Sequence, residues 1–179
     1  YTNLTFGPRR FESMMMNSHG HDVPWVGGTL QKSGPEALAK VVATRFTDAT
    51  DEIELDLATS YPVPALKRLR RTYRFDRMRP AVEIVEEVAF DRPTDYGTAL
   101  VTLSEWKEEA PGVFVVREGK TALRATVTVE GGDAVALVDK VEPVTAFSLP
   151  QGIAPTRLGV NAAKPVTRLT LKTTIVPAE

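Results

Sequence analysis

The sequence predicts an all-β fold, an antiparallel multi-stranded β-sandwich with no substantial helix. Three observations carry that prediction. Apolar and polar side chains alternate with period two through many short stretches, glycine and proline turns separate them, and a single stretch, residues 35–42, has the composition of a helix. With 179 residues, 42% of them hydrophobic and 25% charged, the chain has the size and balance of one domain that buries its own core.

Taken in order, residues 11–16 and 23–26 read as extended runs before the Gly27-Gly28 turn, and residues 1–20 as a whole read as the middle of a sheet. The stretch 35–42 (Pro-Glu-Ala-Leu-Ala-Lys-Val-Val) is short and β-branched in its second half, so it is expected mostly as strand, within 39–46. Ile53, Leu55 and Leu57 then alternate with Glu52, Glu54 and Asp56. Further strands are expected at 66–75, 82–90, 97–103 and 113–117, separated by Arg79-Pro80, Pro93 and Pro111-Gly112. In 123–130, Leu123, Ala125, Val127 and Val129 share one face, and Arg124, Thr126, Thr128 and Glu130 the other. Gly131-Gly132 predicts a tight turn, with 134–141 returning as hairpin partner. The run 166–176 closes the pattern, with Leu169, Leu171 and Ile175 against Arg168, Lys172 and Thr174. No linker or repeat interrupts the chain. Residues 1–179 are therefore expected as a single β-sandwich domain; the start at Tyr1 without a signal pattern reads as a mature product or an excised fragment, and the sheet-like residues 1–20 favour a fragment.

Two strands carry a charge on the face that should be apolar. Leu69, Arg71, Tyr73 and Phe75 share one face, and Val82, Ile84, Glu86, Val88 and Phe90 share another. If residues 76–81 close a hairpin that pairs Phe75 with Val82, Arg71 falls opposite Glu86. A two-residue slip would leave both charges among apolar neighbours, and a buried ion demands a partner, so this register is predicted. The pair reads as a structural ion pair or as a clamp for a substrate carboxylate. On the opposite face Arg68, Arg70, Thr72 and Arg74 form a basic stripe. It reads either as a solvated strand face or as a surface that grips sulfates and uronate carboxylates.

Composition excludes several classes. There is no cysteine, hence no disulfide, thiol chemistry or cysteine metal site, and no apolar run approaches the roughly 18 residues of a membrane span. A net charge of −1, with no recognition helix or aromatic stacking platform, speaks against nucleic acid. No glycine-rich strand-to-helix turn offers a nucleotide site. The only histidines are His19 and His21, within Asn17-Ser18-His19-Gly20-His21-Asp22-Val23-Pro24. In an extended segment they would point to one side, as a proton-transfer or metal site near neutral pH requires. Tyr61, in a Tyr-Pro turn, reads as a packing ring or as a proton donor at a cleft.

Together these segments resemble the C-terminal β-sandwich domain of the heparinase II/III-like polysaccharide lyases. The resemblance rests on 17–24 followed by Gly27-Gly28 and Gln31, then Glu54-Leu55-Asp56-Leu57 with Ser60-Tyr61-Pro62, then 71–75 and 82–86, in that order; residues 91–179 add strands but no motif. It implies a bacterial, periplasmic or secreted lyase that cleaves uronate-containing polysaccharide by β-elimination. The sandwich would form one wall of a cleft against an N-terminal helical toroid of the parent chain, with no activity alone. It implies His19 as the catalytic histidine, or His21 under the alternative alignment, with a catalytic tyrosine supplied by the toroid; from their own positions Tyr61 is the further catalytic candidate, and His21, Arg68, Arg70 and Arg74 are the candidates for binding the acidic polysaccharide. His21 also matches a zinc-binding histidine of the family. The family's zinc set includes a further histidine, which this chain lacks, so no cofactor is expected. The competing reading is a non-catalytic carbohydrate-binding or structural module of the same fold.

Overall fold

The computed structural model describes residues 4–141 and 154–179. Its strands are β1 (Trp25–Val26), β2 (Lys40–Phe46), β3 (Thr50–Asp56), β4 (Leu66–Asp76), β5 (Ala81–Thr94), β6 (Tyr96–Thr102), β7 (Glu105–Ala110), β8 (Val113–Glu118), β9 (Thr121–Glu130), β10 (Ala134–Lys140), β11 (Thr156–Ala162) and β12 (Val166–Ala178). They form a four-stranded sheet, ordered β1-β6-β11-β10, and an eight-stranded sheet, ordered β2-β3-β4-β5-β12-β9-β8-β7. All pairings are antiparallel. The all-β sandwich expected from the sequence is what the chain forms.

The core lies between the sheets, where period-two alternation sends every second side chain. Val26 and Tyr96 from the small sheet meet Leu69, Val88, Phe90, Leu169 and Leu171 from the large one, with Leu57, Tyr61 and Ala65 filling the edge. A second cluster joins Phe114 of β8 to Leu158 and Val160 of β11.

The hairpin β4–β5 takes the register that its charges predict: Phe75 pairs Val82, Tyr73 pairs Ile84 and Arg71 pairs Glu86. Elsewhere the structure corrects the sequence reading. Residues 10–12 form a 3₁₀ turn and 14–16 further turns, so the strand expected at 11–16 is absent, and residues 4–20 are not the middle of a sheet; residues 1–3 lie outside the described residues. Of the stretch 35–42, Pro35 and Glu36 sit in a turn and strand begins only at Lys40.

The Gly131-Gly132 hairpin does not form. β9 has both of its edges occupied, by β12 and by β8, while β10 pairs β11 in the other sheet. Gly131, at φ +98°, turns the chain from one sheet to the other. A local turn signal competes here with long-range partners that saturate β9, and the long-range pairing wins. Two strands had escaped the sequence reading. β7 (Glu-Trp-Lys-Glu-Glu-Ala) is exposed along its whole length and charged as a sheet edge often is, and β11 is interrupted by Gly159.

Candidate functional site

The segment that carries both histidines is fixed from below by polar groups. The Asn17 side chain accepts a hydrogen bond from the His19 amide (2.9 Å) and caps a short 3₁₀ turn, Ser18–Gly20. Its amide nitrogen donates to the Phe11 carbonyl at 3.2 Å. A Cβ at Gly20 would lie 2.4 Å from the Met14 carbonyl oxygen, so only glycine lets the chain pass between the histidines there. The Gln31 amide donates to Ser18 Oγ at 2.9 Å.

Beneath this segment lies the buried charge pair. Arg71 and Glu86 are 2% and 1% exposed. Arg71 Nε stands 3.1 Å from Glu86 Oε1, off the angle of an aligned hydrogen bond, and Nη1 donates to the Asp22 carbonyl at 2.6 Å. Glu86 also accepts from Tyr96 Oη (3.2 Å) and Thr98 Oγ1 (3.1 Å). Burial raises the Glu86 carboxyl above its usual range, against the opposing pull of Arg71 and the two hydroxyls. Tyr61 Oη donates to the Pro24 carbonyl at 2.6 Å and accepts from Gln31 Nε2 at 3.1 Å. Asp22 Oδ1 accepts from the Val101 amide of β6. Arg71, Tyr61, Gln31 and Val101 thus hold residues 18–24 in one place.

These contacts set His19 within reach of the charges of Arg157 and Asp139 on the small sheet. Val26, Tyr96, Thr98, Leu158 and Val160 point into the core, so Trp25, Gly97, Ala99, Val101, Arg157, Gly159, Asn161, Val135, Leu137 and Asp139 take the other face. Asp139 pairs Arg157 in register. Both charges act on His19. Burial is the main cause that lowers the ring's pKa, Arg157 lowers it further, and Asp139 opposes them. The result is an imidazole held neutral near neutral pH, able to accept a proton.

His21 behaves differently. It is exposed and lines a cleft of about 370 Å³ with Phe11, Gln31 and Lys32, a cleft that His19 does not line. The 3₁₀ turn ends the extended geometry on which same-side rings would depend. Tyr61 is 3% exposed, and burial holds its hydroxyl far above the usual tyrosine pKa. Its proton is directed at Pro24. The basic stripe is laced with carboxylates: Arg68 with Glu87 (3.0 Å), and Arg70 with Asp56 (3.5 Å) and Glu54 (3.7 Å). Arg74 lies in register between Glu52 and Glu83.

The zinc that the resemblance implies does not fit this donor set. Among the described residues no three His, Asp or Glu side chains converge, and Asp22, next to His21, already accepts the Val101 amide. Arg157, whose charge acts on His19, is a neighbour of the histidine segment that the sequence reading missed. Only the pairing of β11 between β6 and β10, distant in sequence, reveals it.

No family model matches the chain, and no curated protein matches it. Solved structures do. Against the heparan sulfate lyase HepC from Pedobacter heparinus the TM-score is 0.73 at 8% identity, over 92% of this chain and 25% of that one. Against heparinase III it is 0.70 at 13% identity, over 96% and 26%. A further heparinase III gene product gives 0.70 at 12% identity, over 88% and 24%. The chain spans about a quarter of the length of these proteins, and it carries the β-sandwich fold of that quarter.

Proposed function

We propose that this chain is the β-sandwich domain of a polysaccharide lyase that cleaves uronate-containing polymers by β-elimination. The sandwich forms one wall of the cleft, and a helical domain of the parent chain forms the other. The observation that carries the reading is His19: the ring is kept neutral by burial and by Arg157, on a segment that four separate contacts pin to the sheet. The fold shared with a heparan sulfate lyase supports the same assignment.

In that reaction a base removes the proton α to the uronate carboxylate, and the leaving oxygen at C4 is protonated as the double bond forms. The charge that develops on the carboxylate needs preorganised donors. His19 is the base candidate on this wall. Tyr61 is assigned to holding the segment, because its hydroxyl is buried and already donates. His21 with Lys32 lines a cleft suited to polar contact with saccharide. The balanced charges of Arg68 and Arg70 favour a solvated face over a polyanion track. No role is assigned to a metal. The second reading, a sandwich that binds carbohydrate without chemistry, is favoured only by the missing zinc set. Incubating the full-length protein with uronate polysaccharides and following ultraviolet absorbance of the unsaturated product separates the two: growth of the signal supports the lyase, a flat trace the binding module.

A further inference from the structure

The cleft of about 370 Å³ beside His21 differs in charge from the rest of the surface. Its walls include Lys32, Ser33 and the His21 ring on the polar side, and Phe11, Val23 and Leu30 on the apolar side. Each of four other clefts has at least one carboxylate in its wall, whereas among the described residues this one has none. Lys32 is exposed and stands in no ion pair among the described residues. The carboxylates nearest in sequence are engaged elsewhere, Glu12 with Arg9 at 2.6 Å and Asp22 with the Val101 amide. Arg10 adds a further cation, its guanidinium 4.6 Å from the centre of the Phe11 ring. An exposed lysine alone is ordinary. An acid-free recess around one is not.

The backbone around these groups is fixed. The Lys32 amide donates to the Ser60 carbonyl at 2.8 Å, the Gln31 amide to Ser18 Oγ at 2.9 Å, and Asn17 Nδ2 to the Phe11 carbonyl at 3.2 Å. These bonds tie the walls of the cleft together, so the recess is formed before any ligand arrives. The Gln31 side chain is spent on Tyr61, at 3.1 Å. The side chains of Lys32, Ser33 and His21 keep their hydrogen-bonding groups for a ligand, and the volume suits a small polar molecule with one apolar face. A pyranose ring carrying an acidic group has that shape and chemistry.

We infer that this cleft seats one anionic sugar unit of an acidic polysaccharide, with Lys32 meeting its carboxylate or sulfate and the Phe11 side taking the C–H face of the ring. The ammonium is a point charge that serves either anion. This rests on the reading of the chain as the sandwich of a polysaccharide lyase. It names the group that recognises the polymer's charge at a place apart from His19, which does not line the cleft.

The test uses the full-length protein carrying His19→Ala, so that turnover does not consume the ligand. Three oligosaccharides of equal length are titrated by calorimetry: an unsulfated uronate-containing probe, its sulfated counterpart, and a neutral probe whose carboxylates are reduced to alcohols. Lys32→Met is expected to weaken binding of an anionic probe about tenfold, the loss of one charge-assisted contact, and to leave the neutral probe unaffected. Lys32→Arg, which keeps the charge, is expected to retain most of the affinity. The unfolding midpoint should not move, since Lys32 is exposed and its backbone bond to Ser60 survives the change. Loss toward the unsulfated probe identifies the carboxylate as the gripped group, and loss toward the sulfated probe alone identifies the sulfate. Unchanged affinity in Lys32→Met, an equal loss toward the neutral probe, or no binding of either anionic probe before the change would each overturn the inference. So would an equal loss from Lys164→Met, an exposed lysine on the turn between β11 and β12. A wild-type protein that binds through Lys32 but shows no lyase activity would remove the proposed reaction and leave this site standing; an active lyase indifferent to Lys32 would do the reverse.

Discussion

Arg71 of β4 and Glu86 of β5 face each other directly across the hairpin, Nε to Oε1 at 3.1 Å, both inside the core. The same guanidinium reaches the Asp22 carbonyl, so the pair both fills the core and carries the histidine segment on its far side. Structure and site share one buried charge.

Removing one partner should therefore cost much more than removing both. Arg71→Met or Glu86→Leu alone is expected to destabilise by about 3–5 kcal/mol, because each leaves an uncompensated buried charge. The double variant should lie well below the sum of the two. Urea unfolding of the four proteins of this cycle measures it. A strictly additive result would mean the two side chains do not interact.

Tyr61→Phe tests whether that hydroxyl works in proton transfer or in packing. Loss of its bonds to Pro24 and Gln31 should lower stability by about 1–2 kcal/mol. Under the proposed reaction, the kcat of the full-length protein should fall by less than about tenfold, since general acid catalysis is worth ~10²–10⁴. A larger fall with stability intact would move Tyr61 into the mechanism.

The pH profile follows from the neighbours of His19. Burial and the Arg157 charge both lower its pKa, so the proposed base stays deprotonated to a lower pH than an ordinary histidine. Removing the cation in Arg157→Met raises the pKa, which keeps the ring protonated to higher pH. The acidic limb of kcat/KM should shift upward in that variant. A shift downward, or none, contradicts the placement of Arg157 beside His19.

For the basic stripe, replacing Arg68, Arg70 and Arg74 together with alanine should leave affinity for a sulfated polysaccharide within about twofold, because exposed ion pairs are worth little and two of the three arginines are already paired. A large, salt-sensitive loss would make the stripe a binding track.

Much of this architecture was legible in residue order because period-two alternation and inward charges are local facts. The β4–β5 register needed only Arg71, Glu86 and the rule that buried ions pair. The segment 4–20 was misread because Phe11 and three successive methionines look strand-like, while the turn there is set by Asn17 capping and by a glycine that must pass a carbonyl. The β9–β10 turn was misread for a different reason, since Gly-Gly encodes a change of direction and not which sheet receives the chain. The candidate site was half visible. His19 stood out by rarity, but Arg157 gains its meaning only from Gly159, Asp139 and Val101, which chain crossings bring beside it.

The rate of unsaturated-uronate formation by the full-length protein, compared with its His19→Ala variant under equal folding, tests the account most directly. Wild-type turnover with at least about a hundredfold loss in the variant, the low end of general-base catalysis, is the expected result. A variant that turns over as fast as the wild type would take His19 out of the reaction and leave the sandwich without a chemical role.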